Sequence, residues 1–240
     1  MSQSKKWMVV IYMILLLLIV GCSVGQTRET KTEEDKLAKA WNVDLLDFTF
    51  SSKGHLGTIR TGDELSVQGT EANHVDVLVL DAERRIVIKP TSDFSETSED
   101  LLITLPKELT ALQISHGAFL LDLSTKEKEF SAMVHGVLSG ELVIDDAEQV
   151  DLMLGGANDL NIRGESRRAS MKVEGATKVD AFEFKVSNLS VNLKGAATAQ
   201  VYASEELSAN VDGVGSVIYD GEPENLNKEI SGVGIIRPRQ

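Results

Sequence analysis

The sequence predicts an all-β protein wound as a parallel β-helix, a β-solenoid with coils of about 19–20 residues, and three observations predict it. The first is a recurrence: six times a glycine is followed at once by a small apolar residue, at Gly136-Val137, Gly156-Ala157, Gly175-Ala176, Gly195-Ala196, Gly213-Val214 and Gly232-Val233. These glycines stand 20, 19, 20, 18 and 19 residues apart, a period expected of stacked units that bury apolar surface against their neighbours. The second is alternation before each glycine: Phe130/Ala132/Val134, Val150/Leu152/Leu154, Ala169/Met171/Val173, Leu189/Val191/Leu193, Leu207/Ala209/Val211 and Leu226/Lys228/Ile230. Period-two alternation marks a strand with one buried face, and Lys228 alone departs from it. The third is a second alternating pair beyond the glycine, as in Leu142/Ile144, Leu160/Ile162, Val179/Ala181, Ala199/Val201 and Val217/Tyr219.

Each repeat therefore reads as strand, glycine corner, strand and polar turn, with like strands paired in parallel about 4.8 Å apart. Right-handed winding is the expectation from crossover chirality. The six glycines are assigned as structural corners, where stacked backbones leave little room for a Cβ. The small residue after each is expected to point into a tapered interior. The residue before each, His135, Gly155, Glu174, Lys194, Asp212 and Ser231, is expected at the surface, with Glu174, Lys194 and Asp212 stacked as alternating charges. An antiparallel sandwich with glycine turns is the competing arrangement, and it offers no reason for so narrow a period.

The N-terminus carries Lys5 and Lys6, an apolar run from Trp7 to Val20, then Gly21 and Cys22. A basic start, a short apolar core and a small residue before the cut describe an export signal over residues 1–21. Ile19-Val20-Gly21-Cys22 resembles the lipobox of bacterial lipoproteins, which implies cleavage before Cys22 and lipidation of its sulfur. Cys22 is the single cysteine of the chain, so an intramolecular disulfide is excluded and the thioether gives the residue a purpose. Two or more acyl chains, such as palmitate, anchor a protein stably to a membrane surface without a span. Residues 22–40 are polar and charged, a lipidated tether. Ser23 stands where an aspartate would retain a lipoprotein at the inner membrane, which favours the outer one.

The folded domain is expected over residues 41–240. Upstream of the regular repeats the segments Leu65 to Val67, Val75 to Leu80, Arg85 to Lys89 and Leu101 to Leu105 read as strands, interrupted by a polar insertion from Pro90 to Asp100. Ile114-Ser115-His116-Gly117-Ala118 reads as one further corner.

Gly221-Glu222-Pro223 followed by Ile230-Ser231-Gly232-Val233-Gly234, together with Leu101-Leu102-Ile103-Thr104-Leu105-Pro106 leading into Leu112-Gln113-Ile114-Ser115, resembles the putative auto-transporter adhesin, head GIN domain family. The likeness spans about residues 45 to 237. It departs from the family pattern where a second corner glycine is replaced, at Leu138, Asn158, Thr177 and Ala197. The resemblance implies a β-helix-like fold and a bacterial envelope location.

Chemistry is sparse. His116 and His135 fall on neighbouring coils, while His55 and His74 stand apart, and no third ligand has zinc spacing, so neither metal nor cofactor is expected. Asp145, Asp146, Asp159 and Asp180 are spread among turns, and Arg163, Arg167 and Arg168 lie near Glu165, without the paired carboxylates of a glycosidase. Neither a strained-turn serine nor a phosphate-cradling loop is present. The net charge of −13 falls to about −15 when Lys5 and Lys6 leave with the signal, which argues against nucleic acid. The resulting expectation is a non-enzymatic, lipid-anchored envelope protein that offers a long ribbed face to a protein or glycan partner. A periplasmic envelope-stress or assembly module that binds a partner protein is the alternative, and a polysaccharide-active enzyme the third reading.

Overall fold

The computed structural model describes residues 40–48, 54–95 and 100–240, all within one compact unit, Lys39–Gln240. The signal peptide, Cys22 and the tether up to residue 39 lie outside the described residues. Among the described residues ten strands follow in order: β1 (Trp41–Leu45), β2 (Gly57–Gly62), β3 (Ser66–Gln68), β4 (Val75–Leu80), β5 (Arg85–Pro90), β6 (Leu101–Pro106), β7 (Leu109–Ile114), β8 (Ala118–Thr125), β9 (Glu129–Asp220) and β10 (Asn225–Pro238).

They form one ten-stranded sheet, ordered β3-β6-β2-β8-β9-β7-β1-β5-β4, with β10 added to β9. β9 meets β8 on one stretch and β7 on another, so the sheet comes round on itself into a nearly closed barrel. This corrects the expectation of a parallel β-helix: the sheet is mixed, since β3 runs antiparallel to β6 and β4 antiparallel to β5. Local turn chemistry explains the difference. A 3-10 turn at Asp81–Glu83 ends at Arg84 in the left-handed region, φ 51°, and folds β4 straight back onto β5. Gly69, also at positive φ, follows β3 at the other antiparallel pairing. These turns lie upstream of the regular glycines, where the sequence period is already loose.

β9 is a single extended run of 92 residues, which would reach ~300 Å if straight. It laps itself instead. A Cβ placed on Gly156 would stand 2.1 Å from the Gly136 carbonyl oxygen, one on Gly175 2.4 Å from that of Gly156, and one on Gly195 2.8 Å from that of Gly175. The file continues through Gly213 and Gly232 at 2.6 and 2.4 Å and begins at Gly117, whose oxygen lies 2.6 Å from a Cβ on Gly136. Within this part of the sheet β10 pairs with β9 in parallel from Asn225↔Glu206 to Pro238↔Tyr219.

The core lies inside these laps. The rows Phe130/Ala132/Val134, Val150/Leu152/Leu154, Ala169/Met171/Val173, Leu189/Val191/Leu193 and Leu207/Ala209/Val211 are buried, as are the second pairs from Leu142/Ile144 to Val217/Tyr219. Each fully buried Leu, Val or Phe contributes about 1.5–3 kcal/mol relative to exposure, so this core carries the stability of the barrel. Upstream it is extended by Phe48, which meets Phe119 and Phe94 edge to face at centroid distances of 5.3 and 5.6 Å.

Two finer expectations are corrected. The small residue after each glycine points outward, with Ala157, Ala176, Ala196, Val214 and Val233 exposed. The inward position is the next residue, Leu138, Asn158, Thr177 and Ala197, because the in-out alternation runs on in step through the glycine, with Leu154, Asn158 and Leu160, like Val173, Thr177 and Val179, separated by even numbers of residues. The last row is the second case: Leu226 and Ile230 are exposed, since β10 has a neighbour on its β9 side alone among the described residues.

Candidate functional site

The outward residues of the strands that precede each glycine form a continuous face. Arg85 of β5, Asn42 of β1, Ala111 of β7 and Ser131 of β9 are direct neighbours across the sheet. Asp151, Ser170, Ser190 and Ser208 hold the same place, five residues before successive glycines, and Asn227 of β10 pairs with Ser208. A second column runs beside the first, with Asp44, Gln113 and Met133 paired in sequence and Met153, Lys172, Asn192, Asn210 and Glu229 continuing it. Alternation builds both columns: Val43 and Leu45 go inward while Asn42 and Asp44 of the same strand go to the face.

The face is hollowed where β5, β1, β7 and β9 meet. A cleft of about 490 Å³ is lined by Asn42, Asp44, Arg85, Gln113, Ser131, Met133, Asp151, Met153, Ser170 and Lys172. A second hollow of about 300 Å³ carries it on through Gln149, Asp151, Ser170, Asn188, Ser190, Glu206 and Ser208. At one end Arg85 Nε donates to Asp44 Oδ2 at 2.5 Å. Asp44 is buried and Arg85 half-exposed, so the guanidinium plugs a carboxylate that would otherwise lie uncompensated. That hydrogen bond, and then the carboxylate charge, raise the Arg85 pKa above its ordinary value and keep it cationic. Further along, Gln149 Nε2 donates to Asp151 Oδ2 at 2.8 Å and fixes that carboxylate at the rim.

Hydroxyls, carboxamides and two thioethers at a spacing of about 4.8 Å along each column can hydrogen-bond and pack against an extended ligand. The face holds no pair of carboxylates aimed at one point. Among the described residues no group of three or more His, Cys, Asp and Glu is placed to hold a metal ion.

A second surface lies beyond the glycine file. The exposed Ala176, Ala196, Val214, Val233 and Ile235 line an open groove of about 570 Å³. Val233 is 75% exposed.

The six predicted corner glycines, Gly136, Gly156, Gly175, Gly195, Gly213 and Gly232, are brought together as the file between these two surfaces. His116 and His135 flank Gly117 and Gly136 at its start. Lys194 Nζ lies 4.0 Å from Glu174, one lap away. The turn charges are matched between laps: Lys126 with Asp145, Lys128 with Asp146, Lys178 with Asp159, and Arg163 between Glu141 and Glu183. The Asp44–Arg85 pair was not foreseen. Its signal was two short alternating strands, Asn42 to Leu45 and Arg85 to Ile88, each with one charge on its outward side.

The family model of the putative auto-transporter adhesin, head GIN domain matches residues 55–223. The chain belongs to that family. Among solved structures, this head GIN chain is similar to a putative adhesin from Bacteroides fragilis, at a TM-score of 0.65 and 17% identity over 84% of this chain and 93% of that one. A putative adhesin from Parabacteroides distasonis follows at 0.54 and 17% over 83% and 93%. A protein of the same species described as a putative lipid binding protein gives 0.52 and 17% over 84% and 94%. At these identities the likeness is one of fold. No curated protein matches the chain. Among the described residues no helix is long and apolar enough to cross a membrane.

Proposed function

We propose that this head GIN protein is a non-enzymatic binding protein of the bacterial cell envelope, held by lipid on Cys22, whose polar face receives an extended protein or glycan partner. The observation that carries the reading is the continuity of the two columns, which run from Arg85 and Asp44 at one end to Asn227 and Glu229 at the other through a joined pair of hollows. Supporting it, two carboxylates of the face are fixed in place, Asp44 by Arg85 and Asp151 by Gln149. The adhesin family and the lipobox support an envelope location.

The test is an array of envelope and host glycans and extracellular peptides, probed with the full chain and with Ser190→Trp, a bulky change at an exposed position of the face. Binding by the parent and at least tenfold weaker binding by the variant is the expected result. Binding that Ser190→Trp leaves intact removes the face from the account. Protease shaving of intact cells then separates outward display from a periplasmic role.

One observation favours a second reading. The groove of Ala176, Ala196, Val214, Val233 and Ile235 offers exposed apolar surface suited to an acyl chain, and one structural neighbour is described as a putative lipid binding protein. Saturable uptake of a fluorescent fatty acid, abolished by Val214→Asp, distinguishes this reading from the first.

A further inference from the structure

β10 is bonded along one edge to β9, and among the described residues nothing pairs with its other edge. That bare edge is 14 residues long and exposes Leu226, Ile230, Val233 and Ile235. An extended, unpaired and apolar edge is a template for another chain. Of its three exposed charges Lys228 is held on Tyr219, while Glu229 and Arg237, of opposite sign, enter no ion pair among the described residues.

We infer that this edge is the interface of a two-fold dimer in which a second copy of the chain lays its own β10 antiparallel against the first, with Val233 on the axis. In that register Val233 faces Val233, Glu229 faces Arg237 twice by symmetry, and Ile230 faces Ile236. The backbone is compatible with that register and excludes its one-residue neighbours. Arg239 N donates to Tyr219 O at 2.7 Å, and alternate amides of an extended strand face opposite edges, so the N–H groups of Gly234 and Ile236 point to the bare side. Antiparallel exchange of bonds joins residues of matching direction, which the pairs Ile236–Ile230 and Gly234–Gly232 satisfy and a one-residue slip does not. The bend at Gly232, φ 147°, lies beside the axis. A two-fold along its bisector therefore lays each leg of β10 on the opposite leg of the other copy, and the interface closes on itself. Of the two strands that end the sheet order, β3 is three residues long and uncharged, and β4 exposes Val77, Leu78 and Val79 but carries the single charge Asp76, which fixes no complementary register.

Val233→Cys in the full chain tests the arrangement. Antiparallel partners directly opposite have Cα atoms about 4.5–5.5 Å apart, within disulfide range, so mild oxidation with copper phenanthroline is expected to give a reducible covalent dimer absent from the parent chain, which retains Cys22. Adding Arg237→Glu sets two Glu–Glu pairs in place of two attractions and is expected to cut the dimer yield about tenfold. Adding Glu229→Arg as well restores it. The inference is overturned if Val233→Cys gives no dimer beyond the parent, if the yield ignores the charge reversal, or if Val233→Cys joins Leu78→Cys of a mixed sample, which marks head-to-tail association.

Discussion

Asn158 Nδ2 donates to Thr177 Oγ1 at 3.2 Å inside the protein, joining side chains one lap of β9 apart. The same amide donates to Gly155 O at 3.3 Å, while Asn158 Oδ1 accepts from Leu138 N at 3.1 Å. A buried carboxamide thus stitches three laps together just beyond the glycine file. Asn158→Ala leaves the Leu138 N–H buried without an acceptor and should destabilise by about 1–3 kcal/mol in urea unfolding. Thr177→Val keeps the volume, and should cost about 1 kcal/mol.

Gly195 has φ 101°, and a Cβ there would lie 2.8 Å from the Gly175 carbonyl oxygen. Gly195→Val therefore meets both a left-handed backbone and a fixed oxygen, and thermal unfolding should report a loss of several kcal/mol, of which roughly 1–3 kcal/mol is backbone strain. Lys194→Ala removes an exposed pairing with Glu174 and should change stability by under about 1 kcal/mol. Equal effects from the two substitutions contradict the stacked file.

Glu71 supplies a pH dependence. The hydrogen bond from His74, and then the one from the Ser95 backbone N–H, hold its carboxyl below the ordinary value of 4.5. A carboxylate with a lowered folded pKa adds stability that is fully present above 4.5 and is lost as the pH falls through the folded value. Melting temperature should therefore drop in acid with a step that Glu71→Gln flattens. A parent and variant with the same slope below pH 4.5 would show that Glu71 contributes nothing to it.

The glycine file and the buried rows were legible because period-two alternation and a Cβ-free contact leave direct marks on residue type: Val134, Leu154, Val173 and Leu193 could only be inward. The positions after each glycine follow the same alternation, since Leu154, Asn158 and Leu160, like Val173, Thr177 and Val179, fall on one parity while Ala157, Ala176 and Ala196 face out. A positive φ leaves no such mark. The mixed sheet was hidden for that reason, since the reversal into β5 depends on Arg84 at φ 51°, a residue type with no turn signature. Lys228, the one break in the apolar rows, became intelligible in the structure: its Nζ sits 4.7 Å from the Tyr219 ring centroid and donates to Tyr219 OH at 3.1 Å. The polar face was not read from the sequence, because its Ser and Asn carry no chemical signature, and its Asp44–Arg85 end needed the β1–β5 pairing, which joins residues 41 apart in sequence.

The most direct measurement of the binding role is photocrosslinking in living cells, with benzoylphenylalanine placed at Ser190 on the polar face or at Lys178, an exposed site off it. A discrete adduct from Ser190 and none from Lys178 is the predicted result. Silence at Ser190, or the same adducts from both positions, contradicts a partner-receiving face.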